Sequence, residues 1–518
     1  VSQEPRHATA LLRGSLVTML ATVITVPVSI VSTLLLARWL GPAEFGSFAI
    51  FTLILALVPS LLDLGVTDAL QRKSALAVGA EDAPLLARYV AMLQGWGLAK
   101  GAITVAIGFV VLPPGPATLF AGSVLITALV TGVSTALSVS LRLYSLVLTR
   151  FVGTVVGVAA ALVVASENPS ADWVFATQTL ATAVPTLLLL VAGRRGAFPG
   201  TYLRPAVPRL SRKDVTFSLT AWFNTQIADL VGQRTELLFF TPEQKVERGA
   251  FALGLSATSR VTIAIDALYA PLSTGLAIRR GQSLEALRRA TAAGFRLTTA
   301  LILSFSPVLL AVSVFVALPV SGSEYRGEEI GFGLLTLGAL LGSALHPLYS
   351  YYYATRTTLP TTVGSVLGLV LNVGLSFALI PAFGFPGAII AKLAGSLALL
   401  LTLVAFGRRD AGVRAMLNRH LTWVSLALVA AAVPAWLVLT LVDGTYARMA
   451  VSGVAALVVT AALLRWSPVL FAADVTRLVD ALPGRVRPLA RRGATWMPLT
   501  GEAGRTAGEI DSPAGSLR

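Results

Sequence analysis

The sequence predicts an all-α polytopic membrane protein of about fourteen transmembrane helices: two pseudo-symmetric six-helix lobes plus two extra C-terminal helices. Three observations predict it. The 518 residues are 55% hydrophobic and 13% charged, with a mean hydropathy of +0.78, whereas soluble domains carry about 25% charged residues. Apolar runs near the length of about 20 residues that spans a bilayer recur along the chain. They are continuous and lack barrel-like alternation, so helices rather than strands must satisfy their backbone polar groups in lipid. The basic residues, finally, sit in the short connections between the runs.

Taken in order, the expected spans of the first lobe are 15–37, 46–69, 89–112, 117–138, 146–165 and 172–192. The first run, Leu16 to Ala37, is long enough to span and has no small-residue cleavage site, so it reads as a retained helix rather than a signal peptide. The segment 193–214 holds Arg194, Arg195, Arg204, Arg209, Arg212, Lys213 and three prolines, and reads as a cytoplasmic linker. The second lobe follows at 215–239, 250–275, 295–318, 330–351, 361–381 and 386–406, and the extra pair at 422–442 and 446–466. These give an N-lobe over 1–192, a C-lobe over 215–409, the added pair within 410–466, and a basic tail over 467–518 that is expected to be partly disordered.

Orientation follows from Lys and Arg. With the N-terminus inside, 30 of the 40 basic residues fall on the cytoplasmic side, 5 in external loops (Arg38, Lys245, Arg248, Arg326, Arg448) and 5 within spans (Lys100, Arg234, Arg260, Arg296, Lys392). The bias holds to the C-terminus, which predicts an even span count with both termini cytoplasmic. The net charge of +15 thus fits anionic lipid rather than nucleic acid. Zero cysteines exclude disulfides and thiolate chemistry, and three dispersed histidines argue against a histidine metal cluster.

The halves look related. Gly46-Ser-Phe-Ala-Ile50 opens span 2 and Gly249-Ala-Phe-Ala-Leu253 opens span 8; Val152-Gly-Thr-Val-Val-Gly157 in span 5 resembles Val363-Gly-Ser-Val-Leu-Gly368 in span 11. The offsets, 203 and 211 residues, are close, and each is six spans, which predicts a parallel duplication of the kind that flanks a substrate path in transporters.

An ionisable residue inside a span costs about 2.5–3.5 kcal/mol on insertion scales and usually faces a cavity or a partner. In span 7, Trp222, Gln226, Asp229, Gln233 and Glu236 are spaced 4, 3, 4, 3 and share one helical face. Two readings fit: a hydrated lumen, or interhelical hydrogen bonds that hold a bundle. In span 8, Ser259 and Asp266 share a face while Arg260 lies to one side. Arg234 and Arg260 either neutralise Asp229 or Asp266 or hold an anionic group. Lys100, at mid-depth in span 3 among Gly95, Gly97 and Gly101, is expected to face a cavity, whereas Lys392 and Arg296, near span ends, are expected to snorkel. Asp63 and Asp68 lie close to Arg72 and Lys73, either as a local ion pair or as a gate. The tyrosines at 349 and 351–353 are expected in an interfacial belt. The sequence has no GxxxxGK[ST] phosphate loop, and the external loops are short, so no enzyme activity is expected.

Several stretches resemble a known family. Leu36-Ala-Arg-Trp-Leu-Gly-Pro-Ala-Glu-Phe-Gly-Ser-Phe-Ala49 and Leu62-Asp-Leu-Gly-Val66 resemble the opening of polysaccharide-biosynthesis flippases in the MOP (multidrug, oligosaccharidyl-lipid, polysaccharide) superfamily. Gly249–Leu253 resembles that family's eighth span, Ser321-Gly-Ser-Glu-Tyr325 the loop after its ninth, and Asn372–Ala391 its eleventh-to-twelfth hairpin. The ordered set covers most of 15–406. The resemblance implies two lobes around a central cavity, alternating access, and a cationic lining for the pyrophosphate and sugars of a polyprenyl-linked glycan, with Lys100, Arg234 and Arg260 as candidates. It implies a bacterial cytoplasmic-membrane protein whose partners are the lipid-linked glycan, membrane lipids and a polysaccharide polymerase or glycosyltransferases. No cofactor is implied beyond Na+ or H+ coupling, for which Asp229 and Asn372 are the candidates. A multidrug/cation antiporter of the same superfamily and a peptidoglycan-precursor flippase are the nearest alternatives. A polytopic glycosyltransferase or polymerase is a more distant one.

Overall fold

A computed structural model describes residues 4–79, 82–139, 143–193, 204–212, 235–266, 283–325, 327–355 and 359–466, with isolated positions between 215 and 280; within the helices some side chains, including all those before Val28, are outside this description. The described elements are helical, without strands. Helix α1 runs Glu4–Leu62 and is broken at Gly41, whose φ of 69° and ψ of 168° leave the helical region. Two expected spans therefore share one element. Glycine adopts that conformation without a Cβ penalty, and Pro42 has the fixed φ of a helix's first position.

The helices that follow are α2 (Val66–Gly79), α3 (Ala83–Val111), α4 (Pro114–Val139), α5 (Leu143–Glu167), α6 (Ala171–Gly193) and α7 (Lys245–Asp266). Then come α8 (Leu284–Ala311), a π-helical turn over Val312–Ala317, and α9 (Leu318–Ser321). The chain continues with α10 (Glu329–Ala344), α11 (His346–Thr355), α12 (Leu359–Phe383), α13 (Phe385–Arg409), α14 (Ala411–Leu441) and α15 (Thr445–Trp466). Among the described residues nine helical stretches are long and apolar enough to cross a membrane. Their outer faces are hydrocarbon: α15 buries only Ser452 and Ala456 while Leu457 and Val458 stand exposed, as lipid contact requires.

The helices reach past the apolar runs. Helix α8 starts at Leu284 rather than near 295, with Ser283 Oγ accepting from Ala286 N at 3.0 Å. Helix α14 starts at Ala411 rather than 422, where Asp410 accepts from Gly412 N at 2.9 Å. The stretch after span 2 is α2 rather than a loop, being rich in the helix formers Ala, Leu, Gln, Arg and Lys. Hydropathy marks only the part of a helix that suits hydrocarbon; capping and propensity carry it further.

The chain forms two compact units. The first comprises Val1–Pro271, Val316–Ala339 and Thr358–Leu403. Its largest core packs α1 against α7, with Phe45, Phe251, Phe332 and Phe385 fully buried. The two motifs matched between the halves meet here. A Cβ on Gly249 would strike the Pro42 carbonyl, and one on Gly46 would lie 3.0 Å from Gly249 N. The duplication reaches individual hydrogen bonds: Glu44, two residues before Gly46, accepts from Ala171 N at the start of α6 at 3.0 Å. Glu247, two residues before Gly249, accepts from Phe385 N at the start of α13 at 2.8 Å. The second matched pair behaves alike: Gly153 packs on the Thr182 carbonyl of α6, and Gly364 on the Leu399 carbonyl of α13.

The second unit comprises Leu272–Phe315, Leu340–Thr357 and Val404–Arg518. Here α8 packs against α14 and α15. His420 is buried, with Nδ1 2.6 Å from Thr299 Oγ1 and Nε2 2.7 Å from the Ala344 carbonyl. Tyr351 and Tyr352 are buried, and Tyr351 donates to Asp410 at 2.5 Å. The expected interfacial belt is thus corrected for these two, which lie inside the protein: Tyr351 has a carboxylate partner, and Tyr352 packs edge-on against Tyr351.

Candidate functional site

Helix α1 ends at a strained turn. Leu64 has φ 48°, a region a branched side chain rarely adopts, and Gly65 follows at φ 71° with Ser218 backbone where its Cβ would be. Asp63 explains the turn locally. Its Oδ2 accepts from Thr67 N at 3.3 Å, capping α2, and its Oδ1 accepts from Thr67 Oγ1. The same Oδ1 takes Trp96 Nε1 at 3.3 Å and pairs with Lys100 Nζ, and Lys100 also reaches Thr67 Oγ1 at 3.2 Å. Lys100, expected to line a cavity, is therefore held by Asp63, and Asp63 takes its charge partner from α3. An aspartate that caps one helix and pairs with a lysine on another fixes the geometry of both.

The described part of the seventh-span stripe lies against this turn. Trp222 Nε1 donates to the Ser60 carbonyl at 3.0 Å, and Gln226 Nε2 donates to Ser60 Oγ at 2.8 Å. Gln226 is buried. These are bonds between segments, the geometry of the packing alternative. Asp229, Gln233 and Arg234 lie outside the described residues, as do the side chains of Arg260 and Asp266. Ser259 is exposed and bonds its own helix at the Ser256 carbonyl, 3.0 Å away.

The far end of the stripe enters a second polar cluster. Glu236 is 0% exposed; its Oε1 accepts from Asn372 Nδ2 on α12 at 2.6 Å and lies 3.4 Å from Lys392 Nζ on α13. Lys392 is 11% exposed at its side chain, so the expectation that it snorkels is corrected: a buried carboxylate holds it inside. Close approach of α12 and α13 allows this, because Gly395 packs on Asn372 and the Gly368 carbonyl with no side chain between. The sequence signal was present in Glu236 and Asn372 but gave no reason to join Lys392 to them. Among the described residues, Glu236 of the seventh span is thus matched by a lysine. Asp229, the ion-coupling candidate, lies outside the described residues, and its companion Asn372 donates to Glu236.

Outside the spans, Tyr325 anchors the loop after α9. It is buried, its hydroxyl donates to the Ala37 carbonyl at 3.2 Å, and burial, aided by the charge of Glu324, pushes its phenol up.

Residues 35–236 match a family model described as a polysaccharide biosynthesis protein. No curated protein sequence matches the chain. Among solved structures, the lipid II flippase MurJ in an inward closed conformation is similar with a TM-score of 0.60 at 11% identity, over 86% of this chain and 98% of that one. A multidrug resistance MATE family transporter of the MOP superfamily, inward-facing, gives 0.53 at 13% identity, over 81% and 99%. A eukaryotic MATE transporter gives 0.52 at 16% identity, over 81% and 99%. This chain is a multi-pass membrane protein whose fold is similar to those of a lipid II flippase and of MATE family transporters, and its residues 35–236 match a model of a polysaccharide biosynthesis protein family.

Proposed function

We propose that the chain is a flippase that carries a polyprenyl-pyrophosphate-linked oligosaccharide, a surface-polysaccharide precursor, from the cytoplasmic to the outer leaflet by alternating access. The observation that carries this reading is the polysaccharide-biosynthesis match over residues 35–236 on a fold shared with a lipid II flippase. The physics of the task needs no active site. A hydrated glycan cannot cross hydrocarbon unaided, because each unpaired polar group costs several kcal/mol there. A wet, cationic cavity open to one side at a time removes that cost, while the lipid tail stays in the bilayer. In this reading 1–192 and 215–409 are the moving lobes, 193–214 links them, and 410–466 adds a helix pair. Lys100, Arg234 and Arg260 supply cationic charge, with Lys100 released from Asp63 when the turn at Leu64–Gly65 changes shape. The protein works in a bacterial cytoplasmic membrane beside the enzymes that assemble and polymerise the glycan, with both termini in the cytoplasm.

Multidrug export is the second reading, favoured by the fold shared with MATE transporters. A deletion strain separates the two. The flippase reading expects polyprenyl-linked glycan to accumulate on the cytoplasmic leaflet, with loss of surface polysaccharide. Normal crossing of the glycan together with new sensitivity to cationic drugs would overturn it in favour of the antiporter.

A further inference from the structure

Part of the linker between the halves is tied to the helices of the first. Ala206 N donates to the Ala91 carbonyl of α3 at 2.9 Å. The Ala206 carbonyl lies where a Cβ of Gly95 would be, so a glycine on α3 is what admits it. Ala206 and Leu210 pack on a cluster made of Met92 and Leu93 of α3 and Leu70 of α2, all three buried. Arg204, Val207, Arg209 and Arg212 are exposed. The stretch 204–212 is thus a strap that clamps α2 to α3.

A further tie follows at Ser218, whose backbone occupies the place of a Gly65 Cβ. Trp222 and Gln226 then bond Ser60 in the last turn of α1. Between these ties lies the α1–α2 turn, with Leu64 at φ 48°. A residue in that region keeps its conformation only while its surroundings over-determine it. Asp63 belongs to the same turn: it caps α2 through Thr67 and pairs with Lys100 of α3. Moving α2 away from α3 therefore parts Asp63 from Lys100. The strap is suited to letting go. Local opening is easiest where few apolar contacts are buried, and here Ala206 and Leu210 are half-buried while Val207 is 79% exposed.

We propose that the stretch 204–212 is a latch: docked on α2 and α3 it keeps Lys100 bound to Asp63, and undocked it lets the Leu64–Gly65 turn relax and frees the Lys100 ammonium. The inference rests on the release of Lys100 proposed above and supplies its trigger. It is read from the accessibility of an amine without any glycan, whereas the deletion strain reads the substrate, so each can fail while the other stands.

The test treats full-length protein in detergent with N-hydroxysulfosuccinimide acetate, which acetylates accessible amines, and follows each lysine by peptide mass spectrometry. Lys245, which is exposed, is the reference for full reactivity, and Lys392, held by Glu236, reports general loosening. In wild type, Lys100 is expected to react far more slowly than Lys245. G95A places a methyl group against the Ala206 carbonyl, and on propensity alone alanine strengthens α3, so its effect falls on the strap. A206P removes the donor to Ala91 without touching α3. Each is expected to speed Lys100 acetylation several-fold and to leave Lys392 slow. The chain has no cysteine, so A91C/A206C adds the one pair, and the main-chain hydrogen bond between these residues brings them close enough for a disulfide. Oxidised, this variant is expected to acetylate Lys100 more slowly than when reduced, and it carries the test if G95A or A206P does not survive extraction. The proposal is overturned if G95A and A206P react at the wild-type rate at Lys100, or if Lys392 rises in step with Lys100. Equal Lys100 rates in the oxidised and reduced forms of A91C/A206C would overturn it as well.

Discussion

At Asp63 one carboxylate accepts from a backbone amide, a hydroxyl, an indole and an ammonium. Such a group is worth most when all its partners are present, because removing one leaves another charge in a place with little water. Lys100 and Asp63 are 18% and 15% exposed at their side chains, so solvent screens the pair only in part. Breaking a buried pair by removing one partner costs about 3–5 kcal/mol, whereas replacing both by neutral groups is often tolerated. K100M and D63N are each expected to destabilise by about 3 kcal/mol at most, given the residual exposure. The double variant should lose less than the sum of the two. A double-mutant cycle on unfolding in detergent measures this, and strict additivity would mean that the two charges do not interact. The pair was not legible in advance: Lys100 stood out by its depth and Asp63 by its place at a span end, but the separation of 37 residues carried no pairing signal.

At the level of elements, the duplicated glutamates do the same work twice. Each sits just inside the second helix of its half and satisfies the first amide of the sixth helix of that half, where orphan N–H groups and the helix dipole favour a negative oxygen. E44A and E247A are each expected to cost about 1 kcal/mol, the usual value of a lost cap. The loss should be local. Hydrogen exchange should accelerate over the first turn of α6 in E44A and of α13 in E247A, while each variant leaves the other helix protected. If either variant loosens both helices equally, the two caps are not independent repeats. The repeat itself was legible from the two motif pairs at offsets of 203 and 211 residues, since chemistry at a helix crossing constrains small residues strongly. That Gly46 and Gly249 touch each other was not, because a repeat in sequence does not say whether its copies meet.

For the whole molecule, the asymmetry of basic residues makes a prediction about sidedness. With 30 Lys and Arg assigned to one side and 5 to the other, both termini are expected in the cytoplasm and the connection around Thr241 outside. Alkaline phosphatase, active only outside the cytoplasm, is expected to be active when fused at Thr241 and inactive when fused after Trp466. Activity after Trp466 would mean an odd number of crossings. The charge rule acts on short loops during insertion, before any tertiary contact forms, and so the sequence carries it directly.

What the sequence determined by itself follows from local free energies. Long apolar runs had to become helices in lipid, charge bias set their expected orientation, and two small-residue motifs exposed the duplication. Only the tertiary structure decided which ionisable residues are paired. Lys392, expected to snorkel, is held by Glu236 across 156 residues of chain, and Lys100 by Asp63. The physical reason is that insertion cost is set residue by residue, whereas the partner that offsets it depends on which helices approach closely. Here that approach is set by Gly395 against Asn372 and by the turn at Leu64–Gly65, neither of which hydropathy records.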